Sequence, residues 1–322
     1  MLKQAQKSRK ELKLKMSAYK GFDKNLKCRD FQYEVGKTYE EKEARICKTG
    51  FHACENPLNV LLYYPPCHGN RYCEVEQDGE FSENDDDSKI ASTKIEISKE
   101  VSLTELIQAA IDKSGESEIH SINTGVRTVA ENTEKYSIAL NKGYYSVTAN
   151  TGKYSLATAA SIVSIAANTG DCSVAYSQKA HSIAVNTGDS SAAVSNGCHS
   201  IAANTGEYSV VMGAGEGSVA INVGKQSAAI NNGKTSVALN TGYQAEASVQ
   251  NENSIAIATG VQSRAKAGLG SAIVLVERTT WNGRAYPLNN IKAAIVDGKI
   301  IKADTWYTLR NGEFVECEEE IQ

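Results

Sequence analysis

Proline is almost missing from this chain of 322 residues, with four in all, and aromatic side chains make up only 7%. With 25 glycines beside them, that mixture points to one region dominated by small residues. No apolar run reaches the length of a membrane-spanning helix, so no such span is expected. Neither sign of charge dominates. A net charge of −4 does not favour a nucleic-acid surface. Residues 1–16 carry Lys3, Lys7, Arg9, Lys10, Lys13 and Lys15. No apolar stretch follows them, so they read as a solvated basic tail and not as a secretory signal. Without an export signal, the cysteines fit free thiols in a reducing cytoplasm, the expected location. Cys28, Cys47, Cys54, Cys67 and Cys73 crowd the first third beside His52 and His68. None of them pairs at the two-residue spacing from which one turn offers two ligands, so neither a metal nor any other cofactor is expected.

What the chain does have is a repeat. Written in nines from Thr128, the units begin Thr128, Ser137, Ser146, Ser155 and so on to Ser254 and Ser263, with no insertion or deletion. An earlier unit at Ile119 keeps the landmarks Asn123 and Gly125. The consensus is Ser, Ile or Val, Ala, an apolar residue, Asn, any residue, Gly, then two more. Its first four positions alternate, as a short two-faced strand requires. Asn and Gly at positions five and seven supply the turn, where a left-handed backbone is expected.

Asn-Thr-Gly recurs at Asn150, Asn168, Asn186, Asn204 and Asn240, spaced by eighteen or a multiple of it. Two nines therefore make one coil. The fold class is mostly β: a parallel β-solenoid over 119–271, a flattened roll of stacked coils with two parallel sheets. The aliphatic second and fourth positions are expected to fill the coil, leaving the Ser and Ala columns as flat outer faces. Such faces pack closely, so self-association through them, or docking of a host protein, is the expected use of the roll. The Asn columns read as ladders along the stack. Asp171 and Asp189 are isolated carboxylates in the turns, which argues against a calcium roll. Corner aromatics at position nine, Tyr136, Tyr154 and Tyr208, form a candidate contact stripe, with Tyr145, His181 and His199 on the other corner.

Ser200 to Gly206, Ser218 to Gly224 and Ser254 to Ala265 resemble the head repeats of trimeric autotransporter adhesins, which are β-rolls associating through small-residue faces. The period differs, and the sequence shows no stalk or anchor pattern. The resemblance implies close-packing faces and not adhesion to a surface; an adhesin or particle component is kept as an alternative.

Residues 17–118 read differently, as a small α+β domain. Strands are expected at Phe31–Gly36, Arg71–Glu76 and Lys94–Ile97, a short helix at Pro57–Tyr64, and an acidic loop over Glu80–Asp87. Ser102 and Glu105 form a capping box that opens a helix to about Asp112, placed to cover the first coil. Lys20-Gly21-Phe22, Cys28-Arg29, Phe31 to Gly36, Gly50 to Glu55 and Tyr63-Tyr64-Pro65 resemble a phage and prophage domain of unknown function. That resemblance implies a mobile-element origin and a non-enzymatic accessory protein that binds and blocks host machinery, such as an inhibitor of a defence nuclease.

An alternative rests on Gly50 to Ala53, the paired tyrosines and Arg71 to Glu76, which loosely look like the strand order of ADP-ribosyltransferases. It implies a nucleotide pocket with Arg29 or His52 as contacts and Glu76 as the acid, carried on a multimerising stalk. Arg29, Tyr33, His52, Tyr64 and Glu76 are thus the candidate binding residues here. No catalytic residue is assigned.

Residues 272–322 form a small antiparallel β cap. Hairpin signals at Val296–Lys299 and Arg310–Glu313 define it. Trp281, Trp306 and Tyr307 are available to seal the last coil, and the acidic tail from Glu318 is expected to fray.

Overall fold

The computed structural model describes residues 15–317 apart from 66–68, 84–87, 103–104, 107–108, 111, 114–118 and 136. The rest of the basic tail, the acidic tail, Tyr136, Cys67, His68 and half of the expected acidic loop lie outside the described residues. The chain divides into two compact units at Ala110 and Ile111.

The first unit is an antiparallel sheet. Its strands are β1 (Met16–Phe22), β2 (Lys27–Cys28), β3 (Phe31–Gln32), β4 (Thr38–Glu40), β5 (Phe51–Cys54), β6 (Arg71–Glu83) and β7 (Lys89–Val101). The sheet order is β4-β7-β5-β1-β6, and β6 also pairs with β7, so four strands close on themselves. Closure removes two free edges. Alternation along β1 sends Ala18, Lys20 and Phe22 to the buried side, against Phe51, Val75, Ile95 and Ile97.

Pro57–Leu62 forms a 3-10 helix capped by the Asn56 side chain. The capping box is present: the Ser102 and Glu105 side chains each accept the other's backbone N–H. Two expectations are corrected. The strand at Phe31 stops at Gln32, because its partner is only the two-residue Lys27–Cys28. The acidic stretch from Glu80 begins as strand, because Phe81 to Glu83 still pair with Ser92 to Ile90 on β7.

The second unit contains the roll, about nine turns over residues 121–275. Successive coils pair in parallel register at eighteen residues, for example Ile183 with Ile201 and Ala184 with Ala202. Alternate nines build an eleven-stranded and a ten-stranded sheet. The period, the strands and the two-sheet coil are as the repeat dictates.

The faces are reversed from the expectation. Position three is the interior: Ala166, Ala175, Ala184, Ala193, Ala202 and Ala220 are all fully buried. The Ser and Asn columns are buried with it, whereas Ile165, Ile201 and Ile255 on the ten-stranded sheet are 37–39% exposed. The reason is thickness. A coil of two four-residue strands leaves a corridor too narrow for two facing rows of Ile and Leu, and packed interiors do not stretch. Small polar residues also meet a need that aliphatic ones cannot, because corner backbone groups must be satisfied when buried. The Ser173 hydroxyl accepts the N–H of Ser155 at 3.0 Å and donates to the Asp171 carbonyl. The Asn168 amide donates to the carbonyls of Ser155 and Val174, and its oxygen accepts the Gly170 N–H at 2.9 Å. These Asn side chains therefore bind corner backbone and do not ladder to one another.

The left-handed residue is also elsewhere than expected. It is position nine, from Arg127 and Tyr145 to Gln262, with φ near +55°. Position-seven glycine is required for closeness: a Cβ at Gly206 would fall on the carbonyl oxygen of Gly188 in the coil before.

The cap extends both sheets. Leu288–Ile295 pairs with Ala272–Arg278, and Tyr307–Arg310 pairs with Glu313–Glu316 through the left-handed pair Asn311-Gly312. The first hairpin signal is a turn only, held by the Asp297 carboxylate on three backbone N–H groups. Tyr307 is buried in the end core, while Trp281 is exposed and does not seal it.

Candidate functional site

Two features of the described residues are not used up by folding: a pocket in the first unit and an open sheet face in the second.

The pocket measures about 760 Å³ and is lined from β1, β5, the 29–33 turn, the 47–50 turn and the 3-10 helix end. It brings together Arg29, Tyr33, His52 and Tyr64. Glu76 is not among its lining residues. That carboxylate faces the other way on β6 and pairs with Lys15 at 2.7 Å, so the acid of the transferase-like arrangement is not at the pocket. Tyr154 and Tyr208 belong to the second unit, at roll corners three coils apart. Between them the same corner column carries Cys172 and Ser190, so no continuous aromatic stripe forms there. On the opposite corner His181 and His199 stack at 5.4 Å.

Lys20, which the sequence reading passed over as a candidate, forms the floor. Its ammonium donates to the His52 carbonyl at 2.7 Å and lies 3.5 Å from the Cys28 sulfur. The rings of Tyr33 and Phe22 sit 5.3 and 5.6 Å away. Burial holds this ammonium below the ordinary lysine value, with Cys28 opposing. Burial and Cys28 likewise raise the phenols of Tyr33 and Tyr64. Gly21 is needed beside it, since a Cβ there would lie 2.6 Å from the Tyr64 ring. Arg29 and Cys47 both hold left-handed backbones at the rim, φ 55° and 60°.

His52 Nε2 accepts the Cys47 N–H at 2.8 Å, so the ring is held neutral. Burial, then the charge of Lys20, lowers its pKa; Lys89 and Arg29 add to that, and a backbone hydrogen bond at Gly50 opposes it. An unfolded chain takes up this proton at higher pH than the folded one. Stability contributed here is therefore present above about 6.5 and lost as pH falls below it. Thermal melts of the full chain between pH 7.5 and 5 are expected to show this loss, no steeper than about 1.4 kcal/mol per pH unit for one proton. His52→Gln should flatten it. An unchanged slope in that variant would assign the loss to other groups.

The second feature is the outward side of the ten-stranded sheet. Positions two and four there read Val147, Ala149, Ile165, Ala167, Ile183, Val185, Ile201, Ala203, Val219, Ile221, Val237, Leu239, Ile255 and Ile257. All are partly or well exposed and none is charged. Ala272 and Val274 continue the face, and register places Ile291 and Ile295 of the cap on it, 71% and 70% exposed. On the eleven-stranded sheet the outward aliphatics are themselves buried, among them Val174, Val194, Val210 and Met212. The Ser and Ala columns, expected to be the association surface, cannot be one, because they line the interior.

A family model described as a domain of unknown function, DUF7666, matches residues 16–109. Its match takes in the pocket and none of the roll. No curated protein and no solved structure matches the chain. Among the described residues no helix is long and apolar enough to cross a membrane, and no cluster of three or more His, Cys, Asp or Glu side chains could hold a metal.

Proposed function

We propose that the chain is a non-enzymatic scaffold whose roll associates with a second copy of itself through the outward face of the ten-stranded sheet. The observation that supports this reading is the uncharged aliphatic face running from Val147 to Ile295. The nine strands from Val147 to Ile295, at about 4.8 Å each, make it roughly 40 Å long, and a four-residue strand makes it about 13 Å wide. Two copies then bury on the order of 1,000 Å² together, the size at which a specific interface begins. A face without charge offers nothing to a charged partner, whereas a flat stack of regular strands fits its own copy. The exposed corner threonines Thr169, Thr187 and Thr205 supply a polar rim.

The test is mass in solution. Sedimentation of the full chain at roughly 100 μM, where even a ~10 μM dimer is assembled, should show an oligomer. Ile201→Asp with Ile255→Asp should return it to monomer with an unchanged circular dichroism spectrum, and Thr205→Asp should leave it associated. A wild-type chain that sediments as a monomer sinks the self-association reading. The face would then be left to another partner, such as the host protein of a counter-defence inhibitor.

A further inference from the structure

The pocket of the first unit presents a physical problem that self-association does not address. Lys20 is 95% removed from solvent by its 5% exposure, yet its contacts are a backbone carbonyl, a thiol and two aromatic faces. No described carboxylate pairs with it. A buried ammonium without an anion is costly, and truncating or neutralising the group is the usual escape. Here the group is kept, at the floor of an open pocket. Of the acids that line this space, Glu41 is already engaged by the Gly50 N–H. Asp30 is exposed at the rim.

Three more cations line the pocket. Arg29 and Lys48 are exposed, and neither side chain has a hydrogen bond or ion pair among the described residues, whereas Lys89 lies 4.6 Å over the Tyr63 ring and donates to its hydroxyl. An arginine fixed in a left-handed turn and left unpaired is poised for a planar acid group, which its fork of donors matches in shape. The remaining wall is aromatic. Phe31 is 43% exposed and Tyr63 45%. Phe31 packs on Tyr33 at 4.7 Å and on Tyr39 at 5.3 Å. A pocket of this size with an apolar wall and a few converging cations is the form that small-molecule sites take.

We infer that this pocket binds a small organic anion, its carboxylate or phosphate group taken by Lys20 and Arg29 and its planar, aromatic body laid against Phe31 and Tyr63. The acid group supplies the counter-charge that Lys20 lacks, and the exposed rings supply the apolar contact. The lowered pKa of Lys20 agrees with this, since a bound anion would favour its charged form. One rival account is internal: the Cys28 sulfur, 3.5 Å away, is the only acceptor beyond the backbone that Lys20 needs.

The experiment uses the full chain and four probes: benzoate, phenyl phosphate, neutral benzamide and inorganic phosphate. Calorimetry should find benzoate or phenyl phosphate binding at least about tenfold more tightly than benzamide, a difference of about 1.4 kcal/mol. Inorganic phosphate, lacking the ring, should also bind at least about tenfold more weakly than phenyl phosphate. Which acid binds better distinguishes carboxylate from phosphate. Arg29→Gln, on the surface, should weaken the preferred probe several-fold with an unchanged melting temperature, and Lys20→Met should abolish binding. If Lys20→Met does not fold, the four-probe comparison on the wild-type chain still decides. Binding of benzamide as tight as that of both acids, or no binding of any probe at about 10 mM, overturns the inference and leaves the Cys28 account.

Discussion

Gly206→Ala is expected to remove the native fold of the coils around it, at a cost of at least about 3 kcal/mol, the upper range for forced overpacking. The added methyl would land on the backbone of Gly188, and backbone cannot swing aside. Relief requires the two coils to part at that corner. Parting them breaks the Thr205 N–H bond to the Asn186 carbonyl and the Ser209 hydroxyl bond to the Gly188 carbonyl. Gly217→Ala is the control. It sits at position nine with φ +65°, where neighbouring coils carry His199 and Thr235, and the nearest atoms its methyl would meet belong to the movable His199 ring. A cost near 1 kcal/mol is expected for it. Urea denaturation followed by circular dichroism, with limited proteolysis to locate the loosened coils, measures both. Equal effects of the two substitutions would show that the corners are looser than their geometry states.

Ala202→Leu should also be severe, about 3 kcal/mol or more, while Ile201→Ala should cost under about 1 kcal/mol and change only the mass in solution. These neighbours differ by one place in a strand, and that place decides inside from outside. Ala202 is fully buried between Ala184 and Ala220 of the adjacent coils, with no room for a branched side chain. Ile201 is 39% exposed and loses only contacts along the sheet surface. Thermal melts and sedimentation of the two variants give the answer. A reversal of the two results would shift the register by one residue and return the aliphatic columns to the interior.

That pair of residues also marks where sequence reading succeeded and where it failed. The period, the eighteen-residue coil and the strand at each nine follow from unbroken spacing. Spacing alone says that a strand has two sides and does not say which side is inward. The rule that aliphatic residues go inside chose the wrong side, because it ignores how little space two short strands enclose. A better signal lay in the column statistics within this one chain. Position three is Ala from coil to coil, with Thr148 and Val211 as departures, whereas positions two and four range over Ala, Val, Ile, Leu, Met, Tyr, Thr, Ser, Glu, Arg and Lys. A column that tolerates one size is a tight space, and a column that tolerates many is open. In the first unit Arg29, Tyr33, His52 and Tyr64 were legible as a group because they cluster in short motifs, and folding does bring them to one pocket. Glu76 was misplaced because alternation on β6 points it away. Lys20 was missed because lysine belongs to the surface by default; alternation between Ala18 and Phe22 was the cue that it points inward.

The identical register of every coil makes the roll a ruler. Excising residues 182–199, or duplicating them, would shift one end relative to the other by about 4.8 Å while leaving every side chain's facing untouched. Length can thus be graduated in equal steps without redesigning a single contact, which is a property no globular core offers.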